Sequence, residues 1–129
     1  MSSITHPFMG KVFVGNPTVI GTLLDKYERV MMAGEVVEME FKGVRDGMLF
    51  TSRRIVVINS QGIMGRKVEV TSFPWKSIAA YSVENAGTID FDAEMKICGS
   101  GWGVCEVQLG RGADVQAVCQ YINRKIFPE

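Results

Sequence analysis

The sequence predicts a mainly β protein, in which a strongly bent antiparallel barrel of about seven strands has a helix on either side. The clearest observation is residues 88–98, TIDFDAEMKIC, where apolar side chains alternate without a break with mostly charged ones. Side chains on a strand point alternately to opposite faces, so this stretch has one apolar and one hydrated face, as in an antiparallel sheet. The hydrophobic period is also helical near both ends of the chain and close to two between them.

The N-terminal part is predicted to hold an extension over residues 1–15 and a helix over residues 17–33. Asn16 can cap the first free amides, Pro17 suits the first helical position, and Gly34 provides a stop. The apolar residues between them fall three and four apart, which is typical of an amphipathic helix. They are Ile20, Leu23, Leu24, Tyr27, Val30 and Met31. This stripe must pack either on its own barrel or against a neighbouring subunit, so it is the candidate oligomer interface.

Residues 35–109 are predicted to form the barrel. The period changes to two from residue 35 onward, and GVRDG at residues 43–47 carries a turn. A second amphipathic helix is predicted over residues 113–127, where its apolar stripe can close the open end of the bent sheet. Residues 16–129 are therefore expected to form a single domain.

Composition restricts the classes of function. Fourteen basic residues balance fourteen acidic ones. Proteins that bind nucleic acid usually carry a basic excess, so no nucleic-acid partner is predicted. The three cysteines, Cys98, Cys105 and Cys119, include no C-x-x-C pair and fit a reducing compartment. The first ten residues lack the apolar core of a signal peptide, and no aliphatic run approaches the length of a membrane span. These features predict a cytoplasmic protein.

One row of acidic residues is a candidate for metal binding or acid–base catalysis. Asp90, Asp92 and Glu94 share a strand face and could hold a cation or act as an acid–base pair. A hydrated strand face explains them better, because no glycine-containing calcium loop follows and Lys96 offsets part of their charge. His6, the one histidine, has no serine or cysteine arranged around it as a nucleophile. No catalytic residue, metal or cofactor is predicted.

Three motifs in the middle of the chain are long enough to be recognised. They are T-x-R-R-I-V at residues 51–56, S-F-P-W-K-S-I at residues 72–78 and S-V-E-N-A-G-T-I-D-F-D-A-E-M-K-I at residues 82–97. Together they resemble the bacterial pleckstrin-homology-like family, long catalogued as a domain of unknown function. The sequence departs from the pattern at Asn85, where threonine is expected, and at Cys98, where an aromatic residue is usual. The resemblance implies a pleckstrin-homology-like barrel, a non-catalytic role and a tendency to self-associate.

Two functional hypotheses follow. The first is a non-catalytic interaction module that forms homo-oligomers through the N-terminal stripe. The alternative is a membrane-recruitment domain, because basic residues near the first hairpin bind inositol phosphates in eukaryotic pleckstrin-homology domains. The candidates for binding anionic phospholipid head groups are Arg45, Arg53, Arg66 and Lys67. The balanced net charge gives this alternative the weaker support.

Overall fold

The computed structural model describes residues 11–61, 67–85, 93–99, 101, 103–110 and 112–127. The strands are β1 (Lys11–Pro17), β2 (Val37–Lys42), β3 (Asp46–Thr51), β4 (Arg54–Gln61), β5 (Lys67–Pro74), β6 (Ile78–Asn85), β7 (Ala93–Gly99) and β8 (Gly103–Leu109). The helices are α1 (Leu24–Tyr27), which continues into a 3-10 turn (Glu28–Val30), and α2 (Val115–Ile126), with another 3-10 turn (Trp75–Ser77) before β6. The prediction of a mainly β fold with flanking helices is confirmed.

The strands form one sheet in the order β5-β4-β3-β2-β1-β8-β7-β6. Neighbouring strands are antiparallel, except that β1 runs parallel to β8 from the pair Lys11↔Cys105 to the pair Gly15↔Leu109. β1 also meets β2 at two antiparallel pairs, Asn16↔Lys42 and Pro17↔Phe41. β1 therefore lies between β2–β5 on one side and β6–β8 on the other, and it is the strand that joins them.

The main core lies inside the bent sheet and is closed by α2. The largest side chains in it are fully buried, among them Phe50, Met48 and Met95. α2 begins at Asp114, whose carboxylate accepts a hydrogen bond from the Ala117 amide at 3.1 Å, as an N-cap does. Its apolar stripe is buried on the sheet, and the helix lies within two residues of its predicted bounds. The buried members are Val118, Tyr121 and Ile122.

The N-terminal prediction is wrong in two respects. The predicted extension over residues 1–15 includes most of β1, and the predicted helix over residues 17–33 is reduced to the four residues of α1. Asn16 and Pro17 end a strand instead of starting a helix, a position where proline's missing N–H costs little. Gly21 then adopts a φ of +101°, which no right-handed helix contains. We call residues 18–36, which connect β1 to β2, the strap.

The strap lies on the outer face of the sheet. Leu23 and Tyr27 pack there against Leu49, Val56 and Ile58 and form a second apolar cluster. This explains why β4 is apolar on both faces. Ile55 and Val57 belong to the main core, whereas Val56 and Ile58 lie beneath the strap.

Candidate functional site

A buried carboxylate on β2 holds the first half of the strap. Glu40 is 2% exposed, and its side chain accepts hydrogen bonds from the Gly21 amide at 2.9 Å and the Leu23 amide at 2.7 Å. It also accepts one from the Tyr27 hydroxyl at 3.1 Å. Burial, together with the nearby negative charge of Glu40, raises the pKa of Tyr27 to about 12. Glu40 thus gives the backbone of this irregular segment the acceptor that a longer helix would have supplied internally.

A second carboxylate holds the other half of the strap. The Glu35 side chain is fully buried and receives a bidentate pair of hydrogen bonds from Arg54, from Nε at 2.8 Å and from Nη2 at 3.0 Å. The Thr51 hydroxyl donates to the same carboxylate at 2.6 Å. These donors, the Arg54 guanidinium first, lower the pKa of Glu35 to about 2. Arg54 also donates to the Val30 carbonyl at 2.6 Å, so it fastens the strap to β4 directly.

The structure divides the six residues of the predicted oligomer interface. Leu23 and Tyr27 are 5% and 3% exposed and are buried within their own chain, so they cannot serve as contacts for a partner. Met31 packs partly against the same cluster. The other three, Ile20, Leu24 and Val30, are between 41% and 50% exposed. The predicted interface is thus reduced to the outward-facing members of the stripe.

Exposed large apolar side chains concentrate on the strap. Within the described residues it carries six of the ten that are prominently exposed. They are Val19, Ile20, Leu24, Val30, Met32 and Val36. Scattered apolar residues are normal on protein surfaces, but a concentration in one short segment is typical of a surface that contacts a partner.

The four predicted lipid-binding residues do not form one cluster. Arg45 and Lys67 lie at the same end of the sheet, because Asp46 pairs with Asn59 and Lys67 pairs with Gln61. Arg53 lies in the turn at the other end of β3, about 20 Å away for a six-residue strand. Arg66 lies outside the described residues. A single head group therefore cannot contact Arg45 and Arg53 together.

The carboxylate row and the single histidine are only partly described. Asp90, Asp92 and His6 lie outside the described residues, whereas Glu94 is half-exposed and has Lys96 at 3.8 Å. No group of three or more metal-binding side chains occurs in the part of the chain that the structure describes. Likewise, none of the helices in the described ranges has the length and apolar character needed to span a bilayer.

A groove of about 280 Å³ runs between β2 and the start of α2. Its apolar wall includes Met39, Phe41, Ala117 and Val118, and three acidic residues also contribute to its lining. These are Glu38, Glu40 and Asp114. A sequence pattern does not reveal this groove, because its two walls are more than 70 residues apart in the chain.

The residues of the recognised motifs that are described next have structural roles, because their hydrogen bonds hold the fold together. The Thr51 carbonyl accepts hydrogen bonds from Trp75 Nε1 at 2.7 Å and from the Tyr121 hydroxyl at 3.0 Å. Thr51 and Arg54 belong to the first motif and Trp75 to the second. Sequence reasoning missed Glu35 and Glu40, because a glutamate in an alternating stretch is ordinarily hydrated. Nothing local shows that Glu40 lies beneath the strap or that Glu35 pairs with Arg54.

Comparisons with known proteins agree with this fold. The family model described as the bacterial PH domain matches residues 8–126. The uncharacterized protein YjqA of Bacillus subtilis (strain 168) is 42% identical over 90 residues, which cover 68% of this chain and 72% of that protein. The uncharacterized protein YozO of the same organism is 31% identical over 67 residues, or 52% of this chain and 58% of that protein.

Two crystal structures are similar to the fold over most of its length. A DUF1696 family protein with a pleckstrin-homology domain from Shewanella loihica PV-4 superimposes with a TM-score of 0.77 at 30% identity, covering 89% of this chain and 99% of that one. A pleckstrin homology domain from Shewanella amazonensis SB2B gives 0.67 at 36% identity, covering 85% and 90%. Since the family model spans nearly the whole chain, this protein belongs to the bacterial PH domain family.

Proposed function

We propose that this protein is a non-catalytic interaction module that assembles into homo-oligomers through the outward-facing apolar side chains of the strap. The observation that carries the proposal is the exposure of Ile20, Leu24 and Val30 beside Val19 and Met32 on one short segment. Every copy of the chain presents the same surface, so an apolar patch of this kind favours contact between identical subunits.

The anchoring of the strap supports the proposal. Glu40 and Glu35 fix its backbone at both ends, so the exposed side chains project from an ordered segment. A pre-ordered surface loses less conformational entropy on association than a mobile loop, and more of the apolar burial is then available as binding free energy. Membership of the bacterial PH domain family supports the non-catalytic part of the proposal.

Solution mass tests the proposal directly. We expect light scattering on a sizing column to give a mass several times the 14.3 kDa of one chain. Leu24→Asp should reduce this to the mass of a monomer that keeps its far-UV circular dichroism. The reason is that Leu24 is 47% exposed, so an aspartate there stays hydrated in the monomer but would have to be desolvated in the interface.

Val44→Asp is the matched control. Val44 is an exposed apolar residue in the turn between β2 and β3, outside the strap, so its replacement should leave the oligomer intact. A wild-type protein that elutes as a monomer would overturn the proposal of assembly. An oligomer that survives Leu24→Asp, or that Val44→Asp dissociates equally, would show that the strap is the wrong interface.

Recruitment to anionic phospholipids is the second candidate function. It is supported by the exposed positions of Arg45 and Lys67 at one end of the sheet. Vesicles containing phosphatidylglycerol should then co-sediment the protein in a salt-sensitive manner, and the Arg45→Gln/Lys67→Gln double variant should bind less. Arg53→Gln removes a charge at the far end of β3 and serves as the control. Absence of salt-sensitive sedimentation removes this candidate.

A further inference from the structure

The apolar contacts of the strap form a cluster that is separate from the main core. Leu23 and Tyr27 pack against the outer face of β3 and β4, with Met31 partly buried beside them. None of the described residues of the main core, which lies on the inner face of the sheet, belongs to the strap. Contacts that share no residue with the core can be lost while the core stays packed, and this is the condition for local unfolding.

Two glycines lie at the ends of the part of the strap that covers the sheet. Gly21 has a φ of +101° and Gly34 a φ of +80°, and they enclose residues 22–33. A methyl group at either glycine would meet no heavy atom within 4 Å beyond its chain neighbours. Glycine adopts many backbone angles at little cost, and such positions at the ends of a segment are where a hinge motion is absorbed.

The sequence of this segment favours a conformation that the structure does not give it. Residues 22–33, TLLDKYERVMMA, contain no glycine or proline and are rich in residues of high helix propensity, such as leucine, methionine, lysine and arginine. Only Leu24–Tyr27 is α-helical, Glu28–Val30 is a 3-10 turn, and Met31 is extended with a φ of −72° and a ψ of 139°. Contacts with the sheet therefore hold the segment against its local preference, and such a conflict lowers the free energy needed to open it.

Three side chains of the sheet bind this segment through hydrogen bonds. They are Glu40 on β2 and Arg54 and Ser60 on β4. The bond to Ser60 comes from Lys26 Nζ at 2.8 Å. Residues 22–33 themselves supply no pair to the strands that the structure describes, on β1 and β2 or elsewhere. Their release therefore breaks these side-chain contacts and leaves the pairing of the sheet intact.

We propose that residues 22–33 form a lid, which opens about Gly21 and Gly34 while the barrel stays folded. Opening uncovers an apolar surface on the outer face of β3 and β4. Its central residues are Leu49, Val56 and Ile58, each no more than 1% exposed in the closed state. The lid does not depend on the proposed assembly, but it regulates any assembly through the strap, because the exposed side chains of the strap are fixed in place only when the lid is closed.

Thiol labelling of the full chain carrying Val56→Cys tests the proposal, since cysteine is a small apolar substitute for valine. Position 56 lies beneath the lid, whereas the natural Cys105 is 1% exposed in the main core of the same molecule. Excess iodoacetamide in native buffer, followed by mass spectrometry of the peptides, measures the two rates. We expect position 56 to react at least about tenfold faster than Cys105, because a local opening costs less than global unfolding. If only global unfolding exposed position 56, the two thiols would react at equal rates.

A variant of one contact that holds the lid identifies the motion. Lys26→Ala removes the bond to Ser60 and should speed labelling at position 56 about two- to tenfold, with the rate at Cys105 unchanged. Lys76→Ala is the matched control, because it replaces an exposed lysine outside the strap and should change neither rate. If Lys26→Ala raises both rates equally, or neither, the motion is not a local opening of the lid.

The same labelling in Leu24→Asp separates the lid from the proposed assembly. We expect position 56 to remain the more reactive thiol in this variant, because opening is a property of the single chain. Equal rates at position 56 and Cys105 in Leu24→Asp would overturn the lid, whereas a monomeric wild type would contradict only the assembly. Thermal unfolding verifies that each variant is folded, and Ile58→Cys, on the same covered surface, should give the same excess over Cys105.

Discussion

At the scale of single residues, the paired arginines of the T-x-R-R-I-V motif have different environments. Arg53 is exposed in the turn between β3 and β4. Arg54 is largely buried and forms a bidentate pair with Glu35 while it also binds the Val30 carbonyl. The second arginine of the motif therefore links β4 to the strap. This role requires the planar bidentate geometry of a guanidinium group, which lysine lacks.

The Glu35–Arg54 pair predicts a specific dependence of stability on pH. The pKa of Glu35 is about 2 in the folded protein against an ordinary value of 4.5, so folding favours the charged carboxylate. Its contribution, roughly 3 kcal/mol for a shift of this size, is fully present above about pH 4.5 and is lost as the pH falls toward 2. Glu35→Gln should remove this contribution and flatten the acid limb of the free energy of unfolding.

Urea unfolding at about pH 7, 4.5 and 2.5 measures this effect. Glu94→Gln is the control, because the Glu94 side chain is half-exposed on β7 and its contact with Lys96 is long, at 3.8 Å. A Glu35→Gln variant whose stability falls with acid as steeply as that of the wild type would contradict the assignment.

At the scale of elements, Gly110 allows β1 to lie close to the end of β8. The Gly110 amide donates to the Gly15 carbonyl at 2.7 Å, directly after the parallel ladder between β1 and β8. A methyl group at Gly110 would collide with the side-chain oxygen of Asn16 and come within 3.2 Å of the Gly15 carbonyl. The close approach of β1 to the end of β8 therefore favours a residue without a side chain at this position, because a methyl group would displace the Asn16 side chain and crowd the Gly15 carbonyl.

Gly110→Ala should destabilise the protein by about 1–3 kcal/mol, the usual cost of forcing extra atoms into a packed site. Gly112→Ala is the matched control two residues away, since a methyl group there meets Pro17 at an ordinary 3.6 Å. Denaturant unfolding of both variants provides the comparison. Equal stability of the two variants would show that the contact between Gly110 and β1 is unimportant.

At the scale of the whole molecule, α2 joins the two halves of the sheet. The Tyr121 hydroxyl contacts the Thr51 carbonyl on β3, and its ring lies 5.7 Å from that of Trp75. On the other side of the helix, the Tyr81 hydroxyl on β6 donates to the side-chain oxygen of Asn123. Because one helix packs against strands of both halves, we expect the two halves to unfold together.

A single cooperative transition is therefore expected, with tryptophan fluorescence and far-UV circular dichroism changing at the same denaturant concentration. Tyr121→Ala should lower the free energy of unfolding by about 3–5 kcal/mol, as for other large aromatic residues removed from a core. Gln120→Ala, at an exposed position of the same helix, should change it by less than about 0.5 kcal/mol. Separate transitions in the wild type would contradict the coupling of the two halves by α2.

Much of the barrel could be predicted from local periodicity, because a strand or helix with one buried face repeats its apolar residues at a fixed spacing. α2 and the β-rich region over residues 35–109 followed from this rule. β2 shows its limit, since a bulge between Val37 and Met39 sends Val37 to the cluster under the strap and Met39 to the main core. A register shift of this kind leaves no local signal in the sequence.

The sequence by itself determined the fold class, the C-terminal helix and the family, since these depend on short-range periodicity and on motifs that are continuous in the chain. The tertiary structure alone decided that β1 inserts between β2 and β8, that most of the strap is not helical, and that Glu35 and Glu40 are buried. The physical reason is that the hydrogen bonds of β1, of the strap and of the two glutamates are formed with residues that are distant in the chain. The strap's stripe has a helical period, but two carboxylates and the outer face of the sheet stabilise its irregular backbone better than a free-standing helix would.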